Sequence, residues 1–223
     1  MQKIMHTPIA KVIYFTRAAR FLALKHTKGY TIHPTPTLEE EGLKAFELAI
    51  KNTHTYLEFG SGGSTILASQ FVTKLVSVET DHSFAAAVRR ALLQSSAQVH
   101  ILTPNIGLTR QWGFPMFERP TPSRIARWKR LPKAPWGILA SDIPDTILID
   151  GRMRVACALE SLLHVTSDSR LLVDDYVGRS YEVIENFATL IALHGRMAEF
   201  RKPKMFDESA CRGSLERAYS DVR

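Results

Sequence analysis

Between Thr55 and Asp175 the chain alternates short apolar runs with helix-like stretches, and that alternation leaves few folds open. The runs "TYLEF", "KLVSVET", "AQVHILT", "DTILID" and "SRLLVDD" read as strands. A helix from about Gly63, then "HSFAAAVRRALLQ" and "RVACALESLLHVT", separate them. A strand apolar at successive positions must be buried on both faces. That is the condition of a parallel sheet covered by helices on each side. The expected fold is therefore α/β, a doubly wound and mostly parallel sheet. "SYEVIENFATLIALH" is expected to add a helix and "RMAEFRK" a sixth strand. Thr37-Leu-Glu-Glu40 has the spacing of a capping box and would open a helix through about Asn52.

With 223 residues the chain can form one domain with a sizeable core and some appendages. We expect a basic N-terminal helical arm, 1–36, and an α/β domain, 37–223, in which 104–144 forms an insertion or lid. The net charge of +7 is unevenly spread. Residues 1–38 carry six bases and no acid, and Arg110 to Lys133 carry seven bases against Glu118. The rest of the chain is mildly acidic, so anionic partners are expected at defined places rather than everywhere. In "PIAKVIYFTRAARFLALKH" the bases do not gather on one face. A helix packed on the domain is favoured there, with contact to a membrane surface as the alternative. No apolar run is long enough to span a bilayer. Cys157 and Cys211 suggest neither a disulfide framework nor a metal motif, so a reducing, cytoplasmic setting is expected.

The loop in "YLEFGSGGSTILAS" sits between the first strand and its helix, where doubly wound folds admit a nucleotide. Gly60, Gly62 and Gly63 would let backbone approach a ligand closely. Glu58 precedes them, and Glu79 ends the second strand 21 residues later, the usual separation for a carboxylate that receives ribose hydroxyls. A carboxylate beside the loop would oppose a pyrophosphate and would welcome an ammonium group. S-adenosylmethionine has an ammonium, a sulfonium and a ribose diol and no phosphate, so it suits Glu58 and Glu79 better than NAD. The residues E-F-G-S-G-G-S resemble the first motif of class I S-adenosylmethionine-dependent methyltransferases. The resemblance implies a cofactor site at Glu58, Gly60, Ser61, Gly62, Gly63 and Glu79. Asn105 stands where many members have an acid after the third strand and would accept from adenine through its amide oxygen.

Asp150 ends the fourth strand, and Asp174 and Asp175 end the fifth. On the carboxyl edge of a parallel sheet three carboxylates repel one another unless protonated, solvated or bound to a cation. Oxygen ligands of this kind suit Mg²⁺. Arg152 and Arg154 are the alternative counter-charges. The "IDG" and "DDY" segments resemble sugar O-methyltransferases of antibiotic pathways. "DGRMRVACAL" is similar to a segment of plant glucuronoxylan O-methyltransferase-like proteins. The glycine loop, Ile106 to Pro115 and the "DGR-x-R" and "DDY" segments together resemble bacterial methyltransferase-like proteins of unassigned function, over roughly Thr55 to Phe200. Those sugar enzymes, and small-molecule O-methyltransferases of the catechol type, place a divalent ion at the corresponding strand tips; the catechol type has an acid-Asn pair where this chain has Asp174-Asp175. Metal ligands at Asp150, Asp174 and Asp175, with Asp150 catalytic, are what these resemblances imply.

Trp112, Trp128 and Trp136 all fall in the insertion, which could serve as a lid or acceptor platform, although two of the three are expected to pack it onto the body. No motif of DNA-methylating enzymes stands at the fourth strand's tip, so nucleic acid is not the expected partner. His82 and His164 are general-base candidates by type only. The function expected is methyl transfer from S-adenosylmethionine to a hydroxyl of a carbohydrate or other polar, anionic small molecule. The alternative is a non-catalytic domain that binds the nucleoside.

Overall fold

The computed structural model describes residues 29–223, together with Thr16. Apart from that threonine, the stretch expected to form the basic arm helix lies outside the described residues. Seven strands form one sheet: β1 (Thr55–Phe59), β2 (Lys74–Val78), β3 (Gln98–Leu102), β4 (Thr146–Ile149), β5 (Arg170–Val173), β6 (Thr189–His194) and β7 (Met197–Arg201). Their order is β3-β2-β1-β4-β5-β7-β6. β1 to β5 are parallel, and β7 runs antiparallel to both β5 and β6. Strand order reverses between β1 and β4, so a crevice opens at their carboxyl ends, where ligands enter open α/β sheets.

The strands are apolar at successive positions because each face has its own core. Leu57, Phe59, Val76, Val78, Ile147 and Ile149 point to one side, under α7 (Arg154–His164) and α8 (Glu208–Ala218). Tyr56, Leu75, Leu148 and Leu172 point to the other, under α1 (Glu40–Ile50), α2 (Gly63–Ala68) and α3 (His82–Ala91). Cys157 and Cys211 are buried free thiols in the first of these cores. The 104–144 connection contains α4 (Pro122–Trp128), α5 (Arg130–Lys133) and α6 (Trp136–Leu139). Among the described residues no helix is long and apolar enough to cross a membrane.

Two local expectations are corrected. Thr37 does not cap α1; the cap position is Glu39, which makes no side-chain cap bond and instead binds Arg196. "SYEVIENFATLIALH" is not a helix. It forms a 3₁₀ turn, Glu182–Asn186, and then β6. The run "TLIALH" is extended because Gly195-Arg196 turns it straight back onto β7, with His194 facing Met197. Interstrand bonding in that two-residue hairpin overrides a periodicity that was ambiguous in so short an apolar run. "RMAEFRK" is thus the seventh strand, inserted antiparallel between β5 and β6.

Candidate functional site

The glycine loop turns from β1 into α2 in direct contact with β4. Gly60 has φ +101°, and a Cβ there would lie 2.8 Å from the carbonyl of Asp150 and from the Gly151 nitrogen. Its N–H donates to the Val78 carbonyl at 2.9 Å. A Cβ on Gly63 would collide with the Thr35 carbonyl, so the segment before α1 lies against the loop backbone. Both positions therefore require glycine for close approach, one of them also for its left-handed conformation. The Gly62 N–H donates to Thr65 Oγ1 at 2.8 Å, and Ser61 Oγ meets Ser77 Oγ at 2.6 Å.

Glu58 and Glu79 are both buried, but only Glu79 faces the ligand space. Glu58 is fully enclosed and accepts from Tyr56 Oη (3.0 Å), Ser64 Oγ (2.9 Å), Ser77 Oγ (2.7 Å) and the Thr65 hydroxyl. Burial pushes its pKa up to about 7 against the pull of those four donors. It ties β1, β2 and the first turn of α2 together beneath the loop, which corrects its assignment as the direct partner of an ammonium group. Glu79 accepts from the backbone N–H groups of Thr80 (2.6 Å) and Asp81 (2.8 Å) through one oxygen, and from Ser61 N–H (3.2 Å) through the other. Burial raises its pKa, and these donors oppose the rise.

A cavity of about 720 Å³ lies over the strand tips. Gly60 to Ser64, Glu79 to Asp81, Gln111 to Gly113 and Asp150 to Arg152 line it, with Asp174, Asp175 and Arg196 at one end. Tyr30 to Thr37 contribute a further wall, with gaps only at Pro34. Tyr30 anchors that segment on α3, its hydroxyl 3.4 Å from Asp81 and its ring edge-on to Phe84. The acid of Asp81 helps push the tyrosine pKa up to about 12, after burial.

At the β4 and β5 tips Asp150 and Asp175, two of the three expected Mg²⁺ ligands, are paired with arginines, the counter-charges that were the alternative to a metal ion. Arg154 lies 2.9 Å from Asp150 and 3.6 Å from Asp175. Asp175 also pairs with Arg196 at 2.9 Å and Arg179 at 3.2 Å. Among the described residues no group of three or more His, Cys, Asp or Glu side chains is arranged to hold a metal ion. Asp174 has no arginine of its own: burial, then the charges of Asp150 and Asp175, push its pKa up to about 7. Burial raises that of Asp150 as well, with Arg154 opposing.

Asn105 lies outside the cavity; its amide oxygen accepts from the Gly107 N–H at 3.0 Å. His82 and His164 do not line the cavity either, and His164 stacks on Trp136 with ring centroids 4.3 Å apart. Trp128 is buried, and Trp136 donates to the Pro132 carbonyl. Only Trp112 of the three tryptophans reaches the cavity, held at φ +61° and 82% exposed. The bases of the insertion point elsewhere: Lys129 pairs with Glu216 and Arg124 binds the Arg119 carbonyl. Sequence reasoning missed Tyr30, His33 and Arg196 as cavity residues. Only the glycine at 63, which signals a close neighbour without naming it, hinted at that wall.

No protein-family model and no curated protein matches the sequence. Among solved structures, the chain is similar to a methyltransferase-like protein from Silicibacter pomeroyi, with 28% identity and a TM-score of 0.74 over 85% of this chain and all of the other. An O-methyltransferase from Bacillus cereus is far more distant, at 15% identity and a TM-score of 0.45 over 84% of this chain and 97% of the other. The strand order, the glycine loop at its switch point and the first of these likenesses show that the chain has the fold of class I S-adenosylmethionine-dependent methyltransferases and is similar to a methyltransferase-like protein.

Proposed function

We propose that the chain binds S-adenosylmethionine in this cavity and transfers its methyl group to a hydroxyl of a small, polar, carbohydrate-like molecule. One observation carries the reading: a single cavity joins Glu79 and the glycine loop to the Asp150 end, with Gly60 and Asp150 in backbone contact between them. The residues suit the cofactor by charge. Glu79 is a carboxylate with acceptor capacity left for a ribose diol. The bound cofactor supplies a methyl group already activated by its sulfonium.

The chain's contribution is alignment. Strand tips hold the loop and Asp150 in fixed relation, and Arg154 holds the Asp150 carboxylate so that it can orient an acceptor hydroxyl. Alignment of this kind can supply roughly 7–11 kcal/mol of a barrier. Calorimetry with S-adenosylhomocysteine, with NAD as control and a methyl-transfer assay alongside, tests the reading. Micromolar binding of S-adenosylhomocysteine and no binding of NAD are expected. Glu79→Ala should lose about 1.5–3 kcal/mol of that affinity. Wild-type affinity in the variant would remove Glu79 from the site, and a wild-type protein indifferent to S-adenosylhomocysteine would end the reading. Binding without any methyl transfer would favour a non-catalytic nucleoside-binding domain.

A further inference from the structure

Three arginines line the cavity, and two of them are matched by carboxylates. Arg154 faces Asp150 and Asp175, and Arg196 faces Asp175 and Glu39. The Arg152 side chain makes no hydrogen bond or ion pair with any described residue, although its backbone carbonyl accepts from Cys157 Sγ at 3.6 Å. Its guanidinium lies 4.1 Å from the centroid of the Phe114 ring, and its Nε is buried without a partner. Phe114 is itself held by Arg110, whose guanidinium is 4.6 Å from the same ring. A guanidinium laid on an aromatic ring keeps its in-plane fork of N–H donors for a planar anion. Burial and the neighbouring Arg154 charge lower the Arg152 pKa, as expected of a cation short of its counter-ion.

Position adds to this. Arg152 follows Gly151, where a Cβ would lie 2.9 Å from the Phe59 carbonyl and 3.0 Å from the Gly60 nitrogen. The unmatched cation is thus one residue from the contact between the glycine loop and the β4 tip. Asp150 and Asp174 share that end of the cavity, so a monoanion is better tolerated there than a dianionic phosphate.

We infer that Arg152 is the cavity's receptor for a carboxylate group of a bound ligand, gripping it through its guanidinium fork. The inference rests on the methyltransferase reading, which brings two sources of that group within reach: the amino-acid end of the cofactor and an acidic acceptor. Arg152→Gln removes the charge, and Arg152→Lys keeps it without the fork; thermal melts establish that each variant folds. The first arm measures S-adenosylhomocysteine against 5′-methylthioadenosine, which lacks the carboxylate. The second titrates protein saturated with S-adenosylhomocysteine with the monoanion glycolate and with its uncharged analogue glycolamide.

The expected result is a ten- to hundredfold loss in Arg152→Gln for one carboxylate ligand, with its uncharged counterpart unaffected. Arg152→Lys should recover part of that loss and serves as the test if the glutamine variant does not fold. A loss confined to S-adenosylhomocysteine assigns Arg152 to the cofactor; a loss confined to glycolate assigns it to the acceptor. If no carboxylate-dependent loss appears in either arm, the inference is overturned, while wild-type binding of S-adenosylhomocysteine leaves the methyltransferase reading standing. If the wild-type protein binds neither nucleoside, both fall together.

Discussion

Glu58 carries a carboxylate where water does not reach, and four hydroxyl donors surround it. The donors favour the ionised form, yet burial outweighs them and the pKa rises from 4.5 to about 7. The folded state therefore binds this proton more tightly than the unfolded chain does. Stability is highest below the unfolded value, falls as pH climbs from about 4.5 to about 7, and levels off above. Linkage puts the size of the fall at roughly 3 kcal/mol. Glu58→Gln cannot ionise, so its unfolding free energy should depend less on pH across that window. Urea denaturation at pH 5, 6, 7 and 8 measures the difference; Asp174, shifted the same way, is present in both proteins and cancels. Curves that run parallel would show that this carboxylate's protonation is not coupled to folding. The acid itself was conspicuous in the sequence, two residues before the first glycine. Its role was not, because Ser77 lies on the neighbouring strand and the Ser64 and Thr65 hydroxyls reach it only once α2 forms.

Elements were legible where burial alone decides them. β1, β2, β4 and β5 are short apolar runs with a core on each face, the condition of a parallel sheet covered by helices. β6 was illegible because "TLIALH" suits a helix or a strand equally, and its pairing with β7 settles the matter. The same hairpin shapes the site. Glu39 accepts from the Arg196 backbone N–H at 3.0 Å and from its Nε at 2.6 Å, while Arg196 reaches Asp175 at 2.9 Å. The turn thereby latches the cavity wall that precedes α1 to the β5 tip, a connection between residues 157 positions apart that no local pattern announces. Arg196→Ala should release that latch. These are exposed pairs, so global stability should change by less than about 1 kcal/mol. The local effect should be larger: faster amide exchange over residues 30–39 and severalfold weaker binding of S-adenosylhomocysteine. Exchange measured by mass spectrometry decides it, since unchanged protection over 30–39 would mean that packing on Gly63 and Phe84 holds the wall without the ion pairs.

At the scale of the whole molecule, the cavity draws its walls from the tips of β1, β2, β4 and β5, the segment before α1, the turn at Gln111–Gly113 and the β6–β7 turn. Its parts are spread along nearly all of the described chain and meet only when the sheet is complete. A ligand that fills it should therefore bind the folded state alone and stabilise the molecule as a unit. At a free concentration of 100 times Kd the gain is about 2.7 kcal/mol. For a chain of this size that corresponds to a rise in melting temperature of roughly 5–11 °C. S-adenosylhomocysteine should produce that shift, and NAD at the same concentration should not. The basic insertion offers an internal control, because its concentrated charge suggested an anion site from sequence while none of its basic side chains lines the cavity. Arg127 and Arg130 are exposed, and neither lines the cavity. The double variant Arg127→Ala, Arg130→Ala should melt with the same ligand-induced shift as the wild-type protein. A folded double variant that lost the shift would move the nucleoside site from the strand tips to the insertion. A wild-type protein with no shift at saturating S-adenosylhomocysteine would empty the cavity of its assigned ligand.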